Sequence, residues 1–462
     1  MYNPEQPIFD KQPESNVTVS IKVDEKPRNW AQTLYFAFQI TLVDFTPFIW
    51  GGSFVALAGL PESVLPTMIT ACFLAMGITT LMQTTIGNRL PIVQGPSSAL
   101  VSSMGSVTAA YGFPAMWGAV LVGGLIEGVV GAARLMSKLR KLIPPVVVGS
   151  VVTAIGFVAA KLAVTWTFSK TEPLYLALAG VAFLLCLVFK FKGKGILSQG
   201  FILVTVLIVG VGASTVTGIF DWESVRQADW FALPRLFPYR DMPGVGDGTA
   251  VAVIGAAVVG GFTGYIGSMF ESVGDYAATC AACDETFKVK HIDRGIMSEG
   301  FGCIICGLFG ALPTTSYTQN IGIVAATGVA SRYVTRVAGG IFILYSLCPK
   351  LAALLAAIPR PIIGGVFLVS AAMIMFSGVD VITSSARTQR NTLVAGTTLA
   401  LSVMLPYFCT TGGAAWAAGL PKFLNMLVSS NIFIAVICGI LLNILLNIVF
   451  KEKAASAGAE AR

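Results

Sequence analysis

Long apolar segments, separated by short polar ones, follow each other along almost the whole chain. A helix needs about 20 apolar residues to cross a bilayer. Segments near that length can be delimited at fourteen places, of which the third and tenth are short and interrupted: 30–52, 64–86, 90–109, 115–135, 145–167, 173–191, 197–220, 249–275, 296–312, 313–328, 335–357, 361–379, 391–411 and 430–450. The pattern predicts an all-α polytopic membrane protein with fourteen transmembrane spans in the lipid bilayer.

Basic residues occur in small clusters between the apolar segments. The chain of 462 residues has a net charge of +7, but only 11% of its residues are charged, against about 25% in soluble proteins. With a cytoplasmic N-terminus, the loops after even-numbered spans hold most of the clusters, as the positive-inside rule requires: Lys138, Arg140, Lys141, Lys190, Lys192, Lys194, Lys288, Lys290, Arg294, Arg332, Arg336, Arg387, Arg390, Lys451 and Lys453. We predict a multi-pass protein of the cell (inner) membrane with both termini cytoplasmic and no nucleic-acid partner.

Two spans contain polar residues where a lipid-facing helix should have none. The first, 90–105, reads LPIVQGPSSALVSSMG, and the second, 312–328, reads LPTTSYTQNIGIVAATG. Amide side chains at bilayer depth are costly unless they face protein, water or a ligand. Non-helical backbone is tolerated there only when it is buried in protein or lines a cavity. Two interrupted spans in corresponding halves point to the binding site of a transporter.

The spacing of buried polar residues suggests that the chain consists of two related halves. Asp44 and Gln94 are 50 positions apart, and Glu271 and Gln319 are 48 positions apart. Because seven spans is an odd number, the second half would be inverted relative to the first. The four residues would then converge near the middle of the membrane around a pseudo-two-fold axis.

Nine cysteines raise the question of a metal site. Two CxxC pairs, Cys280 with Cys283 and Cys303 with Cys306, have nearly the spacing of a zinc ribbon. Structural zinc needs all four thiolates in one closed site, whereas the second pair lies in the apolar run GFGCIICGLFGAL. We therefore expect reduced, structural cysteines, no metal and no cofactor. No HExxH or GxSxG motif suggests an enzyme.

At its interrupted spans the chain resembles the nucleobase–ascorbate transporter family, also called nucleobase:cation symporter 2. The family signature begins with Gln, Glu or Pro, continues with Asn-x-Gly, and ends with Thr and then Arg, Lys or Gly. The matching residues in the tenth span are Gln319, Asn320, Gly322, Thr327 and Gly328. The QGPS element of the third span is present at 94–97, and the acidic ESVGDY element of the eighth span at 271–276.

The resemblance implies a core domain that moves against a gate domain, with short strands in spans 3 and 10. The implied divisions along the chain are a cytoplasmic tail (1–28), core (29–141), gate (142–220), an extracytoplasmic interfacial loop (221–248), core (249–358), gate (359–450) and a second cytoplasmic tail (451–462). It also implies a homodimer formed through the gate spans.

Substrate-binding residues follow from the same motifs. A carboxylate at Glu271 can accept two ring N–H groups of a nucleobase in a charge-assisted pair, and the resemblance gives it that role. Gln319 has both donors and an acceptor, which suits the mixed edge of an oxopurine. Asn320 is expected to support the strand backbone more than to touch the base. The resemblance also places Gln94, Ser97 and Gly322 in the substrate site.

Three further carboxyls are candidates for proton coupling. Asp275 lies one helical turn after Glu271, and Glu299 lies in span 9, where relatives often carry an acidic residue. Asp44, in TLVDFTPF, stands where many relatives carry histidine. It is a candidate either to replace that histidine as a proton carrier, which we predict, or to help form a sodium site with Glu271. The single histidine, His291, is expected in a solvated cytoplasmic loop.

These features predict a secondary transporter that imports a purine base such as xanthine or uric acid with a cation, the proton being preferred. Gln at the first signature position resembles oxopurine carriers more than uracil carriers, which tend to have Glu there; the ascorbate branch has Pro. The alternatives are a uracil or pyrimidine permease and a sodium-coupled nucleobase symporter. An anion transporter of the same fold is disfavoured, because Glu271 and Asp275 would repel an anion.

Overall fold

The computed structural model describes residues 3–8, 18–139, 144–239, 250–317 and 319–450. The predicted tail at 451–462 and the basic residues Arg140 and Lys141 lie outside them. The first part of the chain contains α1 (Trp30–Val43), α2 (Pro47–Ala58), α3 (Leu65–Thr85), β1 (Gln94–Pro96), α4 (Ser98–Tyr111), α5 (Phe113–Ala132), α6 (Leu135–Leu139), α7 (Pro145–Thr167), α8 (Pro173–Lys192), α9 (Ile196–Gln199), α10 (Phe201–Thr205), a π-helical segment (Val206–Ala213), α11 (Ser214–Val216) and α12 (Trp222–Gln227).

The second part contains a similar series of helices and one strand. They are α13 (Ala250–Ala282), α14 (Val289–Phe309), β2 (Thr314–Ser316), α15 (Gln319–Thr327), α16 (Arg332–Ser346), α17 (Pro349–Ala356), α18 (Arg360–Thr383), α19 (Gln389–Thr410), α20 (Ala414–Ala418), α21 (Lys422–Val428), α22 (Asn431–Asn443) and a π-helical segment (Ile444–Val449). A helix overlaps each of the fourteen predicted spans.

Membrane-length helices identify a multi-pass membrane protein. Seven helical segments among the described residues are long and apolar enough to cross a bilayer, or eight if the bent pair α16 and α17 counts as one span. The number of fourteen crossings and the inverted relation of the two halves stay predictions.

Two predicted spans are broken in ways that the hydropathy pattern does not reveal. Span 1 consists of α1 and α2, separated at Asp44, and α2 begins with Pro47 at its first position. α16 and α17 meet at an angle of 82°, where Pro349 begins the second helix. Proline lacks the N–H that a continuing helix would need, but it fits the first turn of a new one.

The two short strands occur where the resemblance predicts them, and they pair with each other. β1 and β2 are antiparallel, with Gln94 opposite Ser316 and Pro96 opposite Thr314. The Tyr317 ring packs over Gly95, where an added Cβ would lie 2.3 Å from a ring carbon. Only glycine fits this close approach. The pairing satisfies backbone groups that would otherwise be unpaired among apolar helices.

Helix packing groups the elements around this strand pair. α5 packs against α13 and α14, and α3 packs against α16, all within the predicted core. In the predicted gate, α18 packs against α7 and α8, and α19 packs against α22. At Gly149 and Gly378 the backbones of α7 and α18 approach closely, as small residues allow in membrane helices. The boundaries of the two domains stay predictions.

The described N-terminal residues bind to the folded helices. We call residues 3–8 and 18–28 the N-terminal strap. The Ile8 N–H donates to the Phe287 carbonyl at 2.9 Å, and the Ala330 N–H donates to the Ile21 carbonyl at 2.8 Å. Asp24 forms an ion pair with Arg332 at 2.6 Å. The strap therefore connects the loop between α13 and α14 with the turn between α15 and α16.

A pH-dependent contact holds one end of the strap. The Glu5 carboxylate accepts from Lys288 Nζ at 2.8 Å and from Lys290 Nζ at 2.6 Å. These two bonds lower the pKa of Glu5 from about 4.5 to about 2. The contact stabilises the strap fully above the usual pKa and is lost as pH falls through the lowered one.

We therefore predict that hydrogen exchange at the Ile8 amide, corrected for intrinsic rates, is constant from neutral pH to about 5 and speeds up between about 4.5 and 2. Glu5→Gln should give the fast exchange already at neutral pH. Glu223→Gln, on the exposed helix α12, serves as the control. Equal protection in wild type and Glu5→Gln at neutral pH would show that the ion pairs do not hold the strap.

Candidate functional site

A small cavity lies where the strand pair meets α13 and α18. Its volume is about 20 Å³, hardly more than the space needed for one water molecule. The residues that line it come from six elements and the short segments beside them: Trp50, Pro96, Ser97, Glu271, Thr315, Ser316, Tyr317, Gln319 and Ile374. A ligand larger than a water molecule does not fit this volume unless the walls of the cavity move apart.

Glu271 supplies the carboxylate of this cavity. It lies in α13 and is 9% exposed. Ser97 donates its hydroxyl to Glu271 Oε2 at 3.3 Å, and the same hydroxyl caps α4 by accepting from the Leu100 N–H. The sequence QGPS thus ends a strand, begins a helix and presents one hydroxyl to the carboxylate.

Gln319 lies at the beginning of α15, directly after the second interrupted stretch. Its side chain is half-buried and lines the same cavity as Glu271. The first N–H groups of a helix have no partner within the helix, and the helix dipole favours ligand oxygens at that end. The cavity therefore combines a carboxylate, an amide and a helix N-terminus.

Two further carboxyls are bound by residues of the strands or beside them. Ser316 donates to Asp275 Oδ2 at 3.0 Å. Glu299 accepts from Gln94 Nε2 at 3.0 Å and from Ser272 Oγ at 2.6 Å. Asp275 and Glu299 thus lie beside the strand pair, each bonded to a strand residue, but only Glu271 among the predicted acidic residues lines the small cavity.

Asn320 and Gly322 lie outside the small cavity. Asn320 Nδ2 donates to the Pro91 carbonyl at 2.5 Å, which joins the two interrupted stretches as expected for a residue that supports backbone. Gly322 faces open space, because an added Cβ would meet no atom within 4 Å. It lines a separate cavity of about 230 Å³, which Gln319 also lines.

Asp44 occupies the break between α1 and α2. It is fully buried, and neither carboxylate oxygen has a hydrogen-bond partner among the described residues. The Tyr317 hydroxyl bonds to Thr46 Oγ1 at 2.9 Å and lies within electrostatic range of both Asp44 and Glu271. Asp44 is therefore near Tyr317, which lines the small cavity, but Asp44 itself is not part of that lining.

The expectation for His291 was wrong. The residue is 6% exposed and lies in the first turn of α14, with Nδ1 accepting from the Lys288 N–H at 3.3 Å. Its ring packs against Phe287, so this aromatic ring and the helix cap bury it. Cys280 contacts this ring, whereas Cys303 contacts the Thr314 carbonyl. The two CxxC pairs thus have different surroundings, and all four thiols are free.

Several of the residues that line the small cavity were not predicted from the sequence. Thr315, Ser316 and Tyr317 belong to the polar stretch that was identified, and their hydroxyls were a signal that could have been used. Ser272, which does not line the cavity but bonds to Glu299, was also not predicted, although it directly follows Glu271 in the acidic motif. Trp50 and Ile374 gave no signal, because a single apolar residue in an apolar span is indistinguishable from its neighbours.

Comparisons with known proteins identify the family of the chain. A profile of the permease family Xan_ur_permease matches residues 31–411. The uric acid permease PucK of Bacillus subtilis (strain 168) is 31% identical over 84% of this chain and 89% of its own. The uric acid transporter UacT of Escherichia coli (strain K12) is 28% identical over 84% and 80%. The xanthine permease XanQ of the same strain is 28% identical over 90% and 91%.

Solved structures of similar fold come from anion transporters. The transmembrane domain of the cyanobacterial bicarbonate transporter BicA superposes with a TM-score of 0.60 at 13% identity, over 92% of this chain and 99% of that domain. Murine Slc26a9 in the inward-facing state gives a TM-score of 0.59 at 11% identity, over 92% and 69%. At such identities the likeness concerns the fold alone. The family profile and the relatives together show that the chain belongs to the nucleobase–ascorbate transporter family, whose members are permeases and not enzymes.

Proposed function

We propose that this permease imports a purine base of the xanthine or uric acid type by symport with a cation, and that the cation is a proton. The observation that carries the proposal is the shared lining of one cavity by Glu271 and Gln319, the two side chains best suited to an oxopurine edge. The relatives named as uric acid and xanthine permeases support the substrate class.

Recognition would combine hydrogen bonds with stacking. A purine offers adjacent ring N–H groups, which the Glu271 carboxylate can accept as a pair. Its C=O and N–H groups match the amide of Gln319. Trp50 and Tyr317 add aromatic surface to the cavity lining, and planar bases stack well on aromatic rings. Uracil presents a related edge, so the uptake of both bases must be compared.

Access to the site would depend on α18. Trp50 contacts Phe367 of α18 edge-to-face, with ring centroids 5.1 Å apart. Ile374, on the same helix, closes the cavity beside Gln319. Separation of α18 from the strand pair would open the cavity and break these apolar contacts. The homodimer through gate spans rests on the family resemblance and stays part of this proposal.

Coupling would use the buried carboxyls. The hydrogen-bond partners of Glu271 and Glu299 are hydroxyl and amide groups, and the ion pairs found among the described residues do not involve them. Asp44 is buried without a partner there. An ionised carboxylate out of water is costly unless a cation or a proton neutralises it. A symported proton meets that requirement without a metal-binding cage, and this favours it over sodium.

An anion transporter is the rival that the fold itself suggests, given the likeness to BicA and Slc26a9. A small inorganic oxyanion that offers only acceptors would face the carboxylate of Glu271 in the cavity. Two negative charges within one small cavity repel each other strongly where the dielectric constant is low. The acidic lining therefore favours a ligand that donates hydrogen bonds.

The first prediction concerns Glu271. Glu271→Gln should weaken purine binding about 100-fold or more, because two hydrogen bonds to a charged group are replaced by a mismatched amide. Binding is measured by calorimetry or scintillation proximity on purified protein, with Glu223→Gln as the control for exposed glutamates. Wild-type affinity in Glu271→Gln would place the base elsewhere.

The second prediction concerns coupling. In proteoliposomes, an inward proton gradient should drive accumulation of xanthine or urate without sodium, and an uncoupler should abolish it. Asp44→Asn should retain exchange of labelled for unlabelled base but lose accumulation, since an amide cannot carry a proton. Asp229→Asn, at an exposed position, should behave as wild type. Uptake that requires sodium and persists with an uncoupler would contradict proton coupling.

A further inference from the structure

A second cavity, of about 230 Å³, lies beside the small one. Gln319 and Ile374 line both, so the two are neighbours. On one side it is bounded by α1 and α15, and on the other by α8, α9, α10 and α18. Its volume is below the ~300–1,000 Å³ of sites for drug-sized ligands, which suits a single bicyclic base.

Lys190 is the one ionisable side chain among the described residues that line this cavity. It is half-buried in the last turn of α8, with Nζ 5.3 Å from the centroid of the Phe201 ring. Among the described residues no carboxylate lies within ion-pair distance of it. A cleft lined by charge of one sign concentrates ligands of the opposite sign.

Polar atoms without partners surround the same space. Gln199 and Ser370 belong to the lining of this cavity, and their side-chain atoms Gln199 Oε1 and Ser370 Oγ are buried and form no hydrogen bond among the described residues. Buried polar atoms normally have a partner, so two without one in a single cavity point to a ligand or water. Phe201 and Met373 provide apolar surface between them. The lining thus offers a cation, a hydroxyl, amides and an apolar wall.

We propose that this cavity is a second binding site of the permease, which holds the anionic form of an oxopurine with Lys190 as its charge partner. The proposal rests on the proposed function, and it adds a selection for charge. Uric acid has lost a proton at neutral pH and is a monoanion, whereas hypoxanthine is neutral. Ser370 can donate to a ring oxygen or nitrogen, and Gln199 can accept from a ring N–H.

The two cavities would then be successive binding sites on the transport path, one with an acidic and one with a basic side chain. The charge-assisted pair with an ionised Glu271 described above applies to a neutral oxopurine; a urate anion near Glu271 is tolerated only while a proton neutralises the carboxyl, which then donates its O–H to the base. Once that proton leaves, repulsion by Glu271 and attraction by Lys190 both favour the second cavity. Lys190 belongs to the basic cluster with Lys192 and Lys194, which the charge pattern places on the cytoplasmic side. The second cavity would therefore receive the base before its release.

The test compares charged and neutral bases from each side of the membrane. Lys190→Met keeps an unbranched, flexible side chain that is one atom shorter and removes the charge. Lys190→Arg keeps the charge, and Lys192→Met is the matched control at an exposed position of the same turn. Half-saturation concentrations for urate and hypoxanthine are measured in vesicles of each orientation.

For Lys190→Met, we expect the half-saturation concentration of urate to rise about tenfold when urate is supplied on the side of the membrane where Lys190 lies. This is the effect expected for the loss of one charge-assisted contact. The value from the opposite face and both values for hypoxanthine should not change. Lys190→Arg and Lys192→Met should resemble wild type. Ser370→Ala, which keeps Lys190, should raise the urate value severalfold from the same face and provides a test if Lys190→Met fails to fold.

Three outcomes would overturn the second site. An unchanged urate value in Lys190→Met and Ser370→Ala would show that the cavity does not bind the anion. Equal shifts for urate and hypoxanthine would show that Lys190 acts on the structure and not on charge. If wild-type vesicles transported neither base, the proposed function and this inference would both be wrong. If the wild type transported both bases normally and the first or second outcome was found, only this inference would be wrong.

Discussion

The antiparallel pairing of β1 with β2 is the interaction on which the candidate site depends. Backbone groups among membrane-embedded helices must find partners within the protein, and here each of two short strands satisfies the other. The register of this pairing determines where the hydroxyl groups of Ser97 and Ser316 lie. Ser97 then reaches Glu271, and Ser316 reaches Asp275. A change in this register would alter the partners of both carboxyls at once.

The two neighbouring cavities differ in the charge of the side chains that line them. The small cavity is lined by Glu271 and the larger one by Lys190, and Gln319 belongs to both. Ile374 of α18 lies between them, so movement of this helix would change the size of each. Two charges of opposite sign in neighbouring cavities make one cavity more favourable than the other for a charged ligand. The preference changes when a proton neutralises one of the two charges.

Much of the site could be predicted from the sequence, because amides, glycines and carboxyls stand out in apolar spans. The interrupted stretches, their strands and the backbone role of Asn320 agree with the structure, and Glu271 and Gln319 lie in one cavity. Trp50 and Ile374 could not be found, since their contribution depends on tertiary contacts alone. The contacts of the strap could not be predicted, because polar sequence without periodicity gives no sign of docking. His291 was misplaced because burial by a neighbouring aromatic ring and a helix cap leaves no pattern in the sequence.

The most direct test of the account is an experimental structure of the protein with a bound oxopurine. We expect the base against the strand pair, with two ring nitrogens within about 2.6–3.2 Å of the Glu271 carboxylate and the Gln319 amide at another edge. The small cavity should be enlarged by displacement of α18, and the strand pair should be unchanged. A base that binds without contact to Glu271, or a site in which β1 and β2 have separated, would contradict the central claim.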